Sequence, residues 1–179
     1  MGKIIFLILP FLLGSGIYAT SNIQQQAQLS GVTFSLPVAV VISGFFATVV
    51  MILVMIFLQL ITKTRMSIPL MLGNMILPGG SEKDKRTIGT TLHLLTGSVW
   101  GFVFGMLFQS GWLPDLNIIL NGLFFGLALW LLLMLVSLPM MGKGLFGRSI
   151  NNKVWIFTLV GHLAYGLFLG FIFPLIFLE

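Results

Sequence analysis

From Leu36 to Thr62 the chain runs without one charged residue. Three more stretches, about Gly89 to Phe108, Ile118 to Leu138 and Val154 to Leu178, are equally free of charge. Each is longer than the roughly 18 predominantly apolar residues that mark a membrane-spanning helix. In hydrocarbon every backbone N–H and C=O must be paired within the structure, and a helix does this within one segment. Such runs therefore fix the fold class as all-α, a polytopic membrane helix bundle. Composition agrees: 58% of residues are hydrophobic and 7% charged, against about 25% charged in an ordinary soluble domain.

A further apolar stretch, Ile4 to Ala19, follows Lys3 and is interrupted by Pro10, Gly14 and Gly16. A basic start, apolar centre and small residues near Ala19 resemble a signal peptide. The stretch also reads as a short, kinked helix, and that reading gives five transmembrane helices. The expected organisation is a single membrane domain over residues 1–179, with a first helix or signal-like anchor at 1–20 and spans within 36–108 and 118–178. Thr20 to Ser35 reads as an external loop, and Gly111, Trp112, Pro114 and Asp115 turn the chain between two spans.

Charge placement tests the count. With the N-terminus inside, Lys3, Lys63, Arg65, Lys83, Lys85, Arg86, Lys143, Arg148 and Lys153 all fall on the inner side. Asp115 and Glu179 fall outside. Chance would place all nine basic residues together on the order of once in a few hundred trials, so the positive-inside rule predicts a cytoplasmic N-terminus and an external C-terminus. The net charge of +5 then reflects orientation and anionic lipid headgroups rather than nucleic acid. Cysteine is absent, which removes disulfides, thiolate metal sites and thiol nucleophiles.

Two spans carry one pattern. His93, Gly97, Gly101 and Gly105 recur every fourth residue, as do His162, Gly166 and Gly170, which places each set on one helical face. The preceding spans correspond as well, through Gly44 to Ala47 and Gly122 to Gly126. The expectation is two parallel helical-hairpin repeats plus an N-terminal helix, related by an axis along the membrane normal. The glycines serve helix packing by letting backbones approach, and the two rows are expected to meet each other. A dimer seam or a groove for a flat ligand is the sharper alternative. Between Arg65 and Glu82, Ser67-Ile68-Pro69 reads as a helix start. The uncharged segment to Leu77, with a Gly73-Asn74 notch, is too short to span and reads as interfacial or slightly re-entrant. Glu82 to Arg86 reads as a solvated charged stretch.

The chemistry available is sparse. His93 and His162 are the only histidines, and ionisable residues within a membrane are functional candidates. At equivalent positions they could grip a b-type haem. Otherwise each is a neutral imidazole hydrogen-bonded to a carbonyl or hydroxyl such as that of Thr158 or Thr90, facing the bundle interior with no cofactor. The Met51/Met55 and Met71/Met75 pairs read as apolar gap-fillers before copper(I) ligands. No Asp or Glu lies within a span, so carboxylate catalysis and carboxylate metal sites have no ligands there. Ser98 with His162 would suggest an intramembrane serine hydrolase, but Ser98 lacks the surrounding glycine-serine-glycine turn of such a nucleophile, and an unperturbed helical serine is a poor one. No catalytic or metal residue is assigned.

Gly122, Gly126 and Trp130, then Pro139, Gly142, Gly144, Leu145 and Phe146, then His162, Tyr165 and Gly166 form a series that resembles a family of small bacterial multi-span membrane proteins of unknown function. Gly44, Ala47, Thr48 and Met51 resemble that family's opening segment. The resemblance covers about Leu36 to Phe173. It implies the helical fold and a bacterial inner-membrane location, and no mechanism. The expected role is a non-catalytic subunit or assembly factor of a larger, respiratory-type membrane complex, in contact with lipids and with other integral subunits or copies of itself. A haem-binding redox subunit and a small oligomeric transporter or channel are the alternatives.

Overall fold

The computed structural model describes residues 36–63 and 67–176. The apolar stretch Ile4 to Ala19, the loop to Ser35, Arg65 and Glu179 lie outside them. Among the described residues the fold is all-helical, with five helices and no strand: α1 (Leu36–Thr62), α2 (Ile68–Ile76), α3 (Glu82–Gln109), α4 (Ile118–Met140) and α5 (Val154–Ile176). All but α2 are long and apolar enough to cross a membrane.

Polar residues at the helix starts show why the elements begin where they do. Ser67 accepts a hydrogen bond from Leu70 N at 3.2 Å, Ser81 from Asp84 N at 3.2 Å, and Asn117 from Leu120 N at 2.8 Å. Each satisfies an N–H that the first turn leaves unpaired. The charged stretch Glu82 to Arg86 is the exposed first turn of α3, so this helix starts seven residues before the expected span. Glu82 and Asp84 there favour the positive end of the helix dipole, and Glu82 pairs with Arg86 one turn on at 2.6 Å. Lipid-facing length and helix length are different quantities, and only the first is set by hydropathy.

α2 does not span. It lies against the first turns of α3, where Gly73 meets the backbone of Lys85 and Gly89 meets the carbonyl of Pro69. The Gly73-Asn74 notch is thus a backbone-to-backbone contact. α4 continues past Pro139 to Met140 through a π-helical stretch, Leu133–Ser137. Proline has no N–H and its ring clashes with the carbonyl four residues back. Widening the preceding turn relieves both, and π-bulges of this kind recur at functional sites.

The glycine rows do not meet each other. Gly97, Gly101 and Gly105 face α1: a Cβ on Gly97 would strike the Thr48 side chain, one on Gly101 would lie 2.6 Å from Gly44 Cα, and one on Gly105 would strike Val40. Gly166 and Gly170 face α4, where their Cβ atoms would lie 3.1 Å from Gly126 Cα and 2.8 Å from Ile119 Cα. The close crossings are therefore within each hairpin, α1 with α3 and α4 with α5. Where a glycine meets a glycine of the preceding span, as Gly101 does Gly44 and Gly166 does Gly122 and Gly126, the backbones approach most closely. The hairpins join because α1 packs closely along α5. A strict twofold would make α3 pack equally closely on α4, and it does not. These two meet through side chains, with Phe125 against Trp100 and Phe104 at centroid distances of 6.3 and 5.3 Å.

Candidate functional site

Because α3 and α4 stand apart, a cavity of about 220 Å³ remains between them. Every helix contributes to its wall: Thr48 and Met51 from α1, Met71 from α2, His93, Thr96 and Trp100 from α3, Leu129, Leu132 and Ser137 from α4, and Thr158, His162 and Tyr165 from α5. Both histidines therefore line one space, toward the end of the bundle that carries the basic residues. Gly97 lines it too, whereas Gly101, Gly105, Gly166 and Gly170 do not and serve the hairpin crossings alone.

His162 is held by its own helix. Its Nδ1 lies 2.8 Å from the carbonyl oxygen of Thr158, one turn earlier. A carbonyl only accepts, so Nδ1 carries the proton. In the neutral ring Nε2 is then a bare acceptor. Thr158 is itself anchored, donating its hydroxyl to Val154 O at 2.7 Å and receiving Trp130 Nε1–H at 3.2 Å. The same indole N–H also reaches Trp155 O at 3.1 Å, which locks α4 to α5 beside the cavity. His93 differs from the expectation of a satisfied imidazole: among the described residues neither of its ring nitrogens has a hydrogen-bond partner, from Thr90 or elsewhere. It is half-buried at the cavity wall, where its nitrogens are open to a further partner.

Tyr165 crosses the bundle to donate its hydroxyl to Gly97 O at 2.7 Å. The donor and acceptor are 68 residues apart. This bond ties α5 to α3 at the cavity floor, and glycine at 97 leaves the carbonyl open to it. In the sequence Tyr165 stands only as a member of the family-like series, and nothing local marks its role. The hydroxyls nearby are turned inward on their helices: Ser43 to Ala39 O, Thr48 to Gly44 O and Ser98 to Leu94 O, at 2.7, 2.7 and 3.1 Å. Ser98 does not line the cavity, so it and His162 do not face one space. Met55 packs its sulfur over Gly161, where a Cβ would lie 3.0 Å from it, with the Met51 methyl 3.4 Å away. Met75 is exposed. Met51 and Met55 thus fill the space that Gly161 leaves, and the exposure of Met75 separates it from Met71 at the cavity wall. Among the described residues, no three His, Cys, Asp or Glu side chains cluster to hold a metal.

A second, more open hollow of about 480 Å³ lies at the basic end, lined by Trp130, Phe146, Arg148, Asn152 and Trp155. Phe146 is held at φ 55°, in the left-handed region, and its ring meets Trp130 edge-on at 6.0 Å. An arginine ringed by aromatic side chains at a span end suits the headgroup layer.

No curated protein and no solved structure matches the chain. A family of unknown function (DUF6789) matches residues 24–176. The chain belongs to that family.

Proposed function

We propose that this member of the family is a non-catalytic integral protein of the bacterial inner membrane. It acts as a subunit or assembly factor of a larger membrane complex, with its N-terminus and basic loops in the cytoplasm. The observation that carries the reading is the inertness of the bundle interior. From Thr87 onward in α3, and throughout α1, α4 and α5, no Asp, Glu, Lys or Arg occurs. The inward hydroxyls are engaged with carbonyls of their own helices. No carboxylate there can act on a substrate or relay a proton, which also disfavours an ion-coupled transporter.

α3 is the helix offered to a partner. Only 22% of its most apolar window is buried within the chain, against 33–39% for the other spans. Leu95, Val99, Phe102 and Met106 face outward along it. The matched glycine crossings of the two hairpins support reading them as an internal repeat, with the α3–α4 gap as its asymmetric feature. The haem alternative is weaker. An apolar cavity of about 150 Å³ accommodates one benzene, so 220 Å³ is far short of a porphyrin. The space that Gly97 and Gly101 clear is taken by Thr48 and Gly44.

Affinity purification of the tagged chain from native membranes in mild detergent tests the role. The expected result is a stoichiometric complex with larger integral subunits. Recovery of the chain alone, or only with copies of itself, overturns it.

A further inference from the structure

We propose that the cavity between α3 and α4 binds a lipid-soluble single-ring ligand bearing hydroxyl groups, of the quinol type, which enters sideways from the bilayer. Four observations converge on this class. The volume of about 220 Å³ exceeds the roughly 150 Å³ that takes a bare benzene ring, leaving room for ring substituents and no room for a fused macrocycle. The wall is mostly apolar, with the indole of Trp100 and the side chains of Met51 and Leu129 available to a ring. The lining residues with the most exposure are Thr96 on α3 and Leu132 on α4, the two helices whose backbones stand apart. The mouth therefore faces the hydrocarbon, where an isoprenoid or alkyl tail can remain.

The fourth observation sets the polarity. His162 Nε2 is an acceptor, because Nδ1–H is committed to Thr158 O. A ligand atom beside it must donate, which a hydroxyl does and a quinone carbonyl cannot. His93 has no committed nitrogen among the described residues, so it can accept from a second hydroxyl or donate to a ring oxygen. Buried polar sites reject analogues that lack the matching group more strongly than apolar walls discriminate shape. His162 therefore selects the reduced ring over the oxidised one, and His93 adjusts to either. This inference goes beyond the subunit reading and stands whether or not a partner complex is found.

The test uses the full chain in lipid nanodiscs with histidine labelled by nitrogen-15, since two histidines give two imidazole spectra. Decylubiquinol, decylubiquinone and decylbenzene are titrated separately. The expected result is saturable binding of decylubiquinol that shifts the Nε2 resonance of His162. Decylubiquinone should bind at least about fivefold more weakly, and decylbenzene should leave both imidazoles unshifted. His162→Leu should weaken decylubiquinol about tenfold, the scale of one hydrogen bond at the upper end of its net value; the wild-type spectra decide the matter if that variant does not fold. Equal binding of decylbenzene means a hydrocarbon-filled gap and overturns the proposal. Equal affinity for quinone and quinol overturns the acceptor assignment and with it the ligand class. Absence of any imidazole shift overturns the site.

Discussion

Replacing Gly101 by alanine adds one carbon at the closest crossing of α1 and α3. That Cβ would sit 2.6 Å from both Gly44 Cα and the Val40 carbonyl oxygen, and 2.9 Å from Gly44 N. All three are backbone atoms, so no side chain can swing away. Ordinary carbon contacts lie at about 3.5–4.0 Å, and the helices must separate by about 1 Å. A gap of that size forfeits about a quarter to a half of each contact, worth about 0.1–0.2 kcal/mol per atom pair. Over some 40 pairs, the number a single buried leucine makes, the loss is about 1–4 kcal/mol, in line with the 1–3 kcal/mol typical of overpacking. Lipid supplies no compensating hydrophobic drive between helices. Gly166→Ala, 3.1 Å from Gly126 Cα with the Gly122 carbonyl closer still, should behave similarly at the other hairpin. Gly79→Ala, with nothing within 4 Å, is the control. Unfolding by SDS in mixed micelles should show lowered midpoints for the first two only. Wild-type midpoints for both Gly101→Ala and Gly166→Ala would refute the crossings.

Tyr165→Phe removes the α5–α3 bond and should destabilise by about 0.5–1.5 kcal/mol, read in the same micelle titration. The two histidines should respond differently: His162→Leu loses a hydrogen bond and lowers the midpoint, whereas His93→Leu removes a half-buried imidazole that makes no hydrogen bond among the described residues and leaves the midpoint unchanged or raised by about 1 kcal/mol. A lowered midpoint for His93→Leu would mean that the imidazole has a partner. The purified chain should show no Soret band; a band that disappears in His93→Ala would restore the haem reading.

The sequence made the spans legible because hydropathy is a local property: α1 ends beside Lys63 and α5 starts beside Lys153. Ser67 before Ile68-Pro69 announced α2, since a cap needs only three residues of context. The Thr158–His162 bond was legible for the same reason, being one helical turn. Partner choice was not. A row of Gly97, Gly101 and Gly105 says which face is bare and leaves open which helix uses it; the matching Gly44 was visible as the decisive signal, one span earlier. The cavity depends on α3 and α4 failing to meet, which no local pattern encodes. Tyr165 reaching Gly97 and His93 lacking a partner follow from that same long-range geometry. Pro139 marked a break in α4, but the chain absorbed it as a π-helical turn and continued.

The reading of this chain as a bundle crossing a membrane, with the basic residues among the described ones at one end, is most directly tested by site-directed labelling. The absence of native cysteine gives a clean background for single substitutions Lys83→Cys, Lys153→Cys and Asp115→Cys. Lys83 and Lys153 stand beside the starts of α3 and α5, and Asp115 lies in the turn before α4. In intact spheroplasts an impermeant maleimide should label Asp115→Cys alone, with the other two reacting only after the membrane is opened. Labelling of Lys83→Cys and Asp115→Cys from the same side would contradict the account.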